Sequence, residues 1–241
     1  MANGLSRRKK RGFNPPAGDT HEKSAWRQNL SLIGVDEVGR GCLAGPLFAA
    51  AVELPKWAIR SKNMPILRDS KLMTEQQRLV ASEWIMANCR YGVGVIHPRS
   101  IDRFNIWHAT LLAMKRAIFG LLSQHSACND SIAAILVDAM PVDLFGSSYA
   151  TISIFSFPRA EQASLSVAAA SIVAKVERDQ LMARLDTYFP AYGFAAHKGY
   201  ATKVHRDAVL RDGHTLIHRL SFLRHGSDQE TDDGRKQGSI C

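Results

Sequence analysis

Two apolar, β-prone runs in this chain end on acids, and that restricts what it can become. Residues 30–35 close with Asp36-Glu37, followed by Val38-Gly39-Arg40-Gly41, and residues 132–137 close on Asp138. Carboxylates at the end of buried strands are costly unless something pairs with them. A hard divalent cation, Mg²⁺ or Mn²⁺, prefers such oxygens. The alternatives are a solvated strand end with Arg40 as ion-pair partner for Asp36-Glu37, and a loop or helix-capping role for Asp138. Neighbouring strand residues point to opposite faces, so Asp36 and Glu37 share one site only where the strand bends or bulges, which the following glycines permit.

The rest of the pattern predicts how these strands are framed. Residues 46–54 make a hairpin partner for the first run across Gly39–Gly45. Thr74 with Gln77 three residues on is a capping-box start for a helix ending near Asn88. Residues 91–96 and 150–157 read as further strands, and Ile106, Ala109, Ala113 and Ala117 give helical spacing from Asn105 to about Leu122. From Ser164 to Tyr188 an Ala-rich run turns amphipathic and suits a helix lying against a sheet. The sum is α/β with a mixed sheet, not a regular βαβ repeat. Residues 1–24, with Arg7-Arg8-Lys9-Lys10-Arg11, read as a flexible basic arm, 25–224 as one domain, and 225–241 as a disordered polar tail.

Charge points to a polyanion. The net charge is +9; the arm carries +4 and the tail −2, so the body holds +7. A generally basic surface is the bland alternative, nucleic acid the sharper one. Cys42, Cys89, Cys128 and Cys241 are widely spaced with no Cys-x-x-Cys pair, which fits reduced thiols in a cytoplasmic protein. No apolar run has the length of a membrane span, and the basic start lacks a secretory apolar segment, so no membrane partner is expected.

Further residues are candidates for chemistry. Glu161, before the Ala-rich helix in Arg159-Ala160-Glu161-Gln162, is either a first-turn glutamate on the helix dipole or a further metal ligand. Three or four acids converging at one sheet edge suit two-metal phosphoryl transfer. Gly39-Arg40-Gly41 offers backbone donors and a guanidinium to a sugar or phosphate, or is simply a tight turn. His197-Lys198-Gly199-Tyr200 mixes cations and aromatics, as nucleic-acid contacts or as a structural loop. Lys71 in Asp69-Ser70-Lys71, and Ser171 with Lys175 one turn on, are candidate phosphate contacts; Glu177 and Asp179 read as surface or ion-pair residues.

In order, these pieces resemble the ribonuclease HII family, the bacterial type 2 ribonucleases H, from about Ser31 to Phe222. The motifs are Gly34-Val-Asp-Glu-Val-Gly-Arg-Gly, Gly45-Pro46, Asp69-Ser-Lys, Ile135-Leu-Val-Asp138, Ser166-Val-Ala-Ala-Ala-Ser-Ile-Val-Ala-Lys-Val, Tyr192-Gly-Phe, His197-Lys-Gly-Tyr-Ala-Thr and His218-Arg-Leu-Ser-Phe. The resemblance implies a ribonuclease H-like mixed five-stranded sheet with flanking helices and a helical C-terminal part. It also implies a two-metal Mg²⁺ or Mn²⁺ site on Asp36, Glu37, Asp138 and Glu161. Substrates would be RNA–DNA hybrids and ribonucleotides embedded in duplex DNA, cut on the 5′ side to leave 3′-hydroxyl and 5′-phosphate ends. Gly39-Arg40-Gly41 matches the turn that reads the 2′-hydroxyl, and Tyr200 the tyrosine packing on the next deoxyribose. Lys71, Ser171, Lys175, His197 and Lys198 are carried as further substrate contacts, and a monomer is expected. Two departures stand out: Arg159-Ala160-Glu161 replaces the usual Lys-Gly-Asp, and Ala139 follows Asp138 where glycine is common. The alternative is a hybrid-binding homologue that barely cuts because Glu161 has impaired the fourth ligand position.

Overall fold

The computed structural model describes residues 17–125 and 132–223. Most of the basic arm, the tail, Cys128 and Cys241 lie outside the described residues. The arm's expected boundary at residue 24 is corrected: helix α1 spans Thr20–Arg27, with Glu22, Ala25 and Trp26 buried. The fully buried Glu22 accepts hydrogen bonds from the Ser164 hydroxyl and from the Ser166 N–H, so what reads as a charged arm is partly a packing element.

Strands β1 (Ser31–Val38), β2 (Leu47–Glu53), β3 (Arg90–Ile96), β4 (Ile132–Asp138) and β5 (Ile154–Phe157) form one five-stranded sheet in the order β3-β2-β1-β4-β5. The β1–β2 and β2–β3 pairs are antiparallel, while β1–β4 and β4–β5 are parallel. This is the mixed sheet the alternation predicts. The fifth strand is shorter than expected, since residues 150–153 belong to the preceding turn.

Helix α2 (Glu75–Asn88) starts at the predicted capping box, with Thr74 Oγ1 accepting from the Gln77 N–H at 3.2 Å and Gln77 Oε1 from the Thr74 N–H at 3.0 Å. Helix α3 (Pro98–Leu122) begins seven residues before the expected start. Asn105 is nonetheless a real boundary: at φ 63° it kinks the helix, and its Oδ1 accepts from the His108 N–H at 3.1 Å as a cap on the second segment. α3 covers one sheet face, packing Ala109, Ala113, Met114 and Ile118 against Ile33, Val35, Ala49 and Ile135.

After α4 (Ala160–Ala163), helix α5 (Leu165–Tyr188) lies on the opposite face, capped by Ser164. Its unbroken buried run from Leu165 to Ala174 is sandwiched between the sheet and α2. Small residues let the backbones close: a Cβ on Gly34 of β1 would overlap the backbone of Ser166 and Val167. A C-terminal lobe follows, with α6 (Phe194–His197) and α7 (Lys203–Asp212) around Met182, Tyr192, Phe194 and Ile217. Among the described residues no helix is long and apolar enough to cross a membrane.

The Gly34 approach sets the height of α5 above the strand that carries Asp36. Gly34→Ala is expected to cost about 2–3 kcal/mol, read as a lower denaturation midpoint; an unchanged midpoint would show the helix is free to lift.

Candidate active site

Register brings the acids together. β1 and β4 run parallel with Val35 opposite Val137, so one step further Asp36 and Asp138 stand side by side at the two strand ends. β5 continues the row, with Phe157 opposite Asp138. The chain then turns through Arg159 at φ 61° into α4. Asp138 Oδ1 accepts from the Ala160 N–H at 3.1 Å, so this aspartate caps α4, as its bland alternative held, and at the same time places Glu161 beside the strand ends. The expected bend in β1 is absent: the β1–β2 ladder continues in register through Asp36 opposite Ala50 and Glu37 opposite Ala49. β1 itself runs on to Val38, but its pairing with β4 reaches only Val35 opposite Val137, and Asp36 and Asp138 meet where that pairing stops.

The electrostatics are those of crowded, desolvated carboxylates. Asp36 and Glu161 are each only 8% exposed. Burial pushes the Asp36 carboxyl well above its ordinary range, with Glu37 and Asp138 adding to the shift, while a hydrogen bond from Ser171 works against it. Glu37 is raised by burial, opposed by Arg40 and Lys71, and Arg40 Nη1 stands 3.7 Å from its Oε1. Glu161 is raised by burial, with Asp138 and Asp69 contributing. Oε2 of Glu37 and Oε2 of Glu161 are buried without a hydrogen-bond partner, a state that costs about 1–3 kcal/mol per group. Among the described residues no three acids are drawn together as a finished cation cage. Clustered hard oxygens, two of them orphaned, fit divalent cations better than they fit anything else in the protein. Asp36, Glu37, Asp138 and Glu161 are the residues that would hold them.

Around the acids stand the predicted contacts. Ser171 Oγ shares a 2.8 Å hydrogen bond with Ser70 Oγ, next to Lys71 in a short 3₁₀ turn. Lys175 pairs with Asp179 at 2.8 Å and lies over the Tyr200 ring, 5.9 Å from its centroid. Tyr200, 40% exposed, is bridged to Cys42, so the Gly39–Gly41 turn and the Tyr200 turn are neighbours. Two predicted contacts are engaged in building that turn. His197 has Nε2 on the Tyr192 carbonyl at 2.7 Å and Nδ1 on the Gly199 N–H at 3.1 Å. Lys198 is left-handed at φ 52°, and its carbonyl accepts from Arg178.

The residues that sequence reasoning missed are Arg178 and Arg219, both fully buried. Arg178 donates to the carbonyls of Pro46 (3.0 Å), Ala44 (3.1 Å) and Lys198 (2.8 Å). Arg219 donates to the carbonyls of Arg40 (2.8 Å) and Gly45 (2.9 and 3.1 Å). Gly39 is φ +92°, and a Cβ there would strike Arg178. The available signal was Arg178's place seven residues after Ser171, on the buried stripe of α5.

The chain matches the family model described as Ribonuclease HII over residues 33–225. The ribonuclease HII of Sinorhizobium medicae is 42% identical over 214 residues, covering 87% of this chain and 91% of that protein. That of Pseudothermotoga lettingae is 41% identical over 198 residues, covering 82% and 80%. Among solved structures, the PCNA:RNase HII complex of Archaeoglobus fulgidus aligns with a TM-score of 0.62 at 25% identity, covering 79% of this chain and 94% of that one. The ribonuclease H2 of Pyrococcus horikoshii aligns at 0.63 with 23% identity, covering 80% and 93%, a likeness of fold.

One strained position adjoins the acids. Ala139 sits at φ +52° directly after Asp138, a conformation costing a non-glycine residue about 1–2 kcal/mol. Glycine's extra unfolded-state entropy offsets part of that gain, about 0.5–1 kcal/mol. Ala139→Gly is therefore expected to stabilise the chain by about 0.5–1 kcal/mol, seen as a small rise in melting temperature; a fall would mean the Ala139 methyl makes a compensating contact.

Proposed function

Because the chain belongs to the ribonuclease HII family, and is an endoribonuclease of the ribonuclease H type, we propose that it cuts on the 5′ side of ribonucleotides, both in RNA–DNA hybrids and singly embedded in duplex DNA. The observation that carries this reading is the orphaned acid cluster standing beside a backbone-presenting turn and an exposed tyrosine. Two divalent cations, Mg²⁺ or Mn²⁺, would supply the Lewis acidity for water attack and for departure of the 3′ oxygen. Asp36, Glu37, Asp138 and Glu161 would hold them, and no protein nucleophile is required. Water adds to phosphorus and the preceding nucleotide's O3′ leaves, giving 3′-hydroxyl and 5′-phosphate ends.

The chain's own residues select the bond. The Gly39-Arg40-Gly41 turn presents main chain to the 2′-hydroxyl, the group that separates RNA from DNA at that position. Gly41 has no heavy atom within 4 Å of where a Cβ would stand, so the turn is open on that side. Tyr200 packs on the next sugar and favours one lacking the hydroxyl. Lys71, whose charge acts on Glu37 and Glu161, and Ser171, which bonds to Asp36, stand nearest the cluster as candidate contacts to the substrate backbone, with Lys175 and Lys198 farther out beside the Tyr200 turn and His197 holding that turn. The longer Glu161 still feels the charge of Asp138, which favours a working fourth ligand over a merely hybrid-binding protein.

Two measurements test this. A labelled duplex with one ribonucleotide is expected to be nicked on its 5′ side with Mg²⁺ or Mn²⁺ but not with EDTA. Glu161→Ala should lose about 10²-fold or more in rate and Glu161→Asp should retain cleavage. Full activity in Glu161→Ala would remove that residue from the site. The second is pH-linked. The raised carboxyls of Asp36, Glu37 and Glu161 favour the folded state below the ordinary carboxylate range and cost stability as pH rises through their raised values. Cations relieve that cost, so Mn²⁺ should raise the melting temperature by about 2–4 °C at pH 8, distinctly less at pH 5, and not in Asp36→Asn/Asp138→Asn. An equal shift in the double variant would place the cation elsewhere.

A further inference from the structure

Three histidines surround the turn that carries Tyr200, and their hydrogen bonds determine every ring proton. The Tyr200 carbonyl lies 2.9 Å from His205 Nδ1; a carbonyl only accepts, so Nδ1 carries the proton. The Thr215 N–H points at His218 Nδ1 from 2.9 Å; an amide only donates, so that nitrogen is bare and the His218 proton is on Nε2. The two Nε2 atoms stand 3.1 Å apart, and the single proton they need is the one His218 supplies. His197 is fixed in the same way, protonated at Nε2 toward the Tyr192 carbonyl and bare at Nδ1 toward the Gly199 N–H. It stacks on His205, centroids 4.5 Å apart and planes 13° apart.

We propose that His197, His205 and His218 are positioning residues that together form a neutral-only latch on the Tyr200 turn, holding Tyr200 for sugar discrimination. The inference rests on the reading of Tyr200 given above. The turn needs holding: Lys198 and Gly199 have φ of 52° and 81°. The latch also reaches the ribonucleotide-reading turn, because His218 bridges Ala44 and the next residue, Arg219, holds the Arg40 carbonyl.

A proton added to His205 or His218 sets donor against donor, between the two Nε2 atoms or at the Thr215 N–H. The surroundings of these two rings resist that proton. Among the described residues, His197 from α6, His214 from the chain after α7 and Tyr192 from the 3₁₀ turn before α6 are the titratable groups that face the pair. Burial lowers His205, and burial with His205 and His214 brings His218 down to about 4. The folded chain thus refuses protons that the unfolded chain takes up below the ordinary histidine value of about 6.5. Stability from His205 and His218 is present above that value and is lost as pH falls toward 4.

The test uses the full chain. NMR of ¹⁵N-histidine-labelled protein at pH 7.5 should show His205 as the Nδ1–H tautomer, against the usual Nε2–H preference, and His218 and His197 as Nε2–H. The cleavage-rate ratio is then measured for a ribonucleotide followed by a deoxyribonucleotide over one followed by a second ribonucleotide, a ratio in which the metal-holding acids cancel. His205→Ala should lower it about fivefold or more, the worth of one hydrogen bond, toward the Tyr200→Ala value. His205→Asn, which keeps a donor for the Tyr200 carbonyl, should restore most of it, and the wild-type ratio should hold from pH 7 to pH 5, where the folded rings stay neutral. A His205 Nε2–H tautomer, or a His205→Ala ratio unchanged where Tyr200→Ala collapses it, overturns the latch. If Tyr200→Ala itself leaves the ratio unchanged, the reading of Tyr200 fails, and the tautomers alone decide whether the latch stands.

Discussion

The site depends on two buried guanidinium groups whose visible partners are main-chain carbonyls. Arg178 and Arg219 together hold the carbonyls of Arg40, Ala44, Gly45, Pro46 and Lys198. A buried cation without a paired carboxylate is expensive, and burial brings Arg219 down to about 10, still charged at neutral pH. Planar forks answered by fixed carbonyl dipoles meet that cost. The loop is thus tied from both sides: its carbonyls turn in on the two guanidinium groups, and the N–H groups of Leu43, Ala44 and Gly45 donate to the carbonyls of Gly199 and Ile217. Arg178 also explains why Gly39 lacks a side chain, since its guanidinium stands where a Cβ would point.

Two ionisable clusters flank this clamp with opposite pH sense. The acids at the strand ends resist losing protons, and the histidines behind Tyr200 resist gaining them. Both follow from burial disfavouring whichever form is charged. The acid cluster is relieved by cations at higher pH, and the histidine array is intact in that same range. Neutral to mildly alkaline conditions therefore suit both halves of the site, for unrelated physical reasons.

Much of this was legible in the sequence because it is written in local rules. The strand end at Asp138, the Thr74–Gln77 box and the Ser164 start of α5 are short-range signals, and the structure follows them, while β1 runs two residues past Asp36 to Val38. What was illegible is long-range. Glu22 lies in a charged stretch, yet accepts from Ser164, which no spacing rule connects to it. Arg219 reads as one more base near the C-terminus until the Gly45 carbonyl is brought against it. Alternation argued that Asp36 and Glu37 need a bulge to cooperate; the β1–β2 ladder shows none through Val38, while the pairing with β4 reaches only Val35.

The fourth acid shows how a fold absorbs a longer side chain. Glu161 extends about 1.3–1.5 Å beyond an aspartate, a large excess against Mg²⁺ ligand distances near 2.1 Å. Its position is set by the backbone of α4, which is entered through left-handed Arg159 and fastened at Ala160 by Asp138, an acid of the same cluster. That bond ties the backbone carrying Glu161 to the strand end carrying Asp138, so the reach of position 161 is set by where α4 starts as well as by its rotamer. That coupling also makes the Ala139 strain intelligible: the left-handed residue lies between the end of β4 and the turn toward α4, where the chain must leave the strand without releasing Asp138.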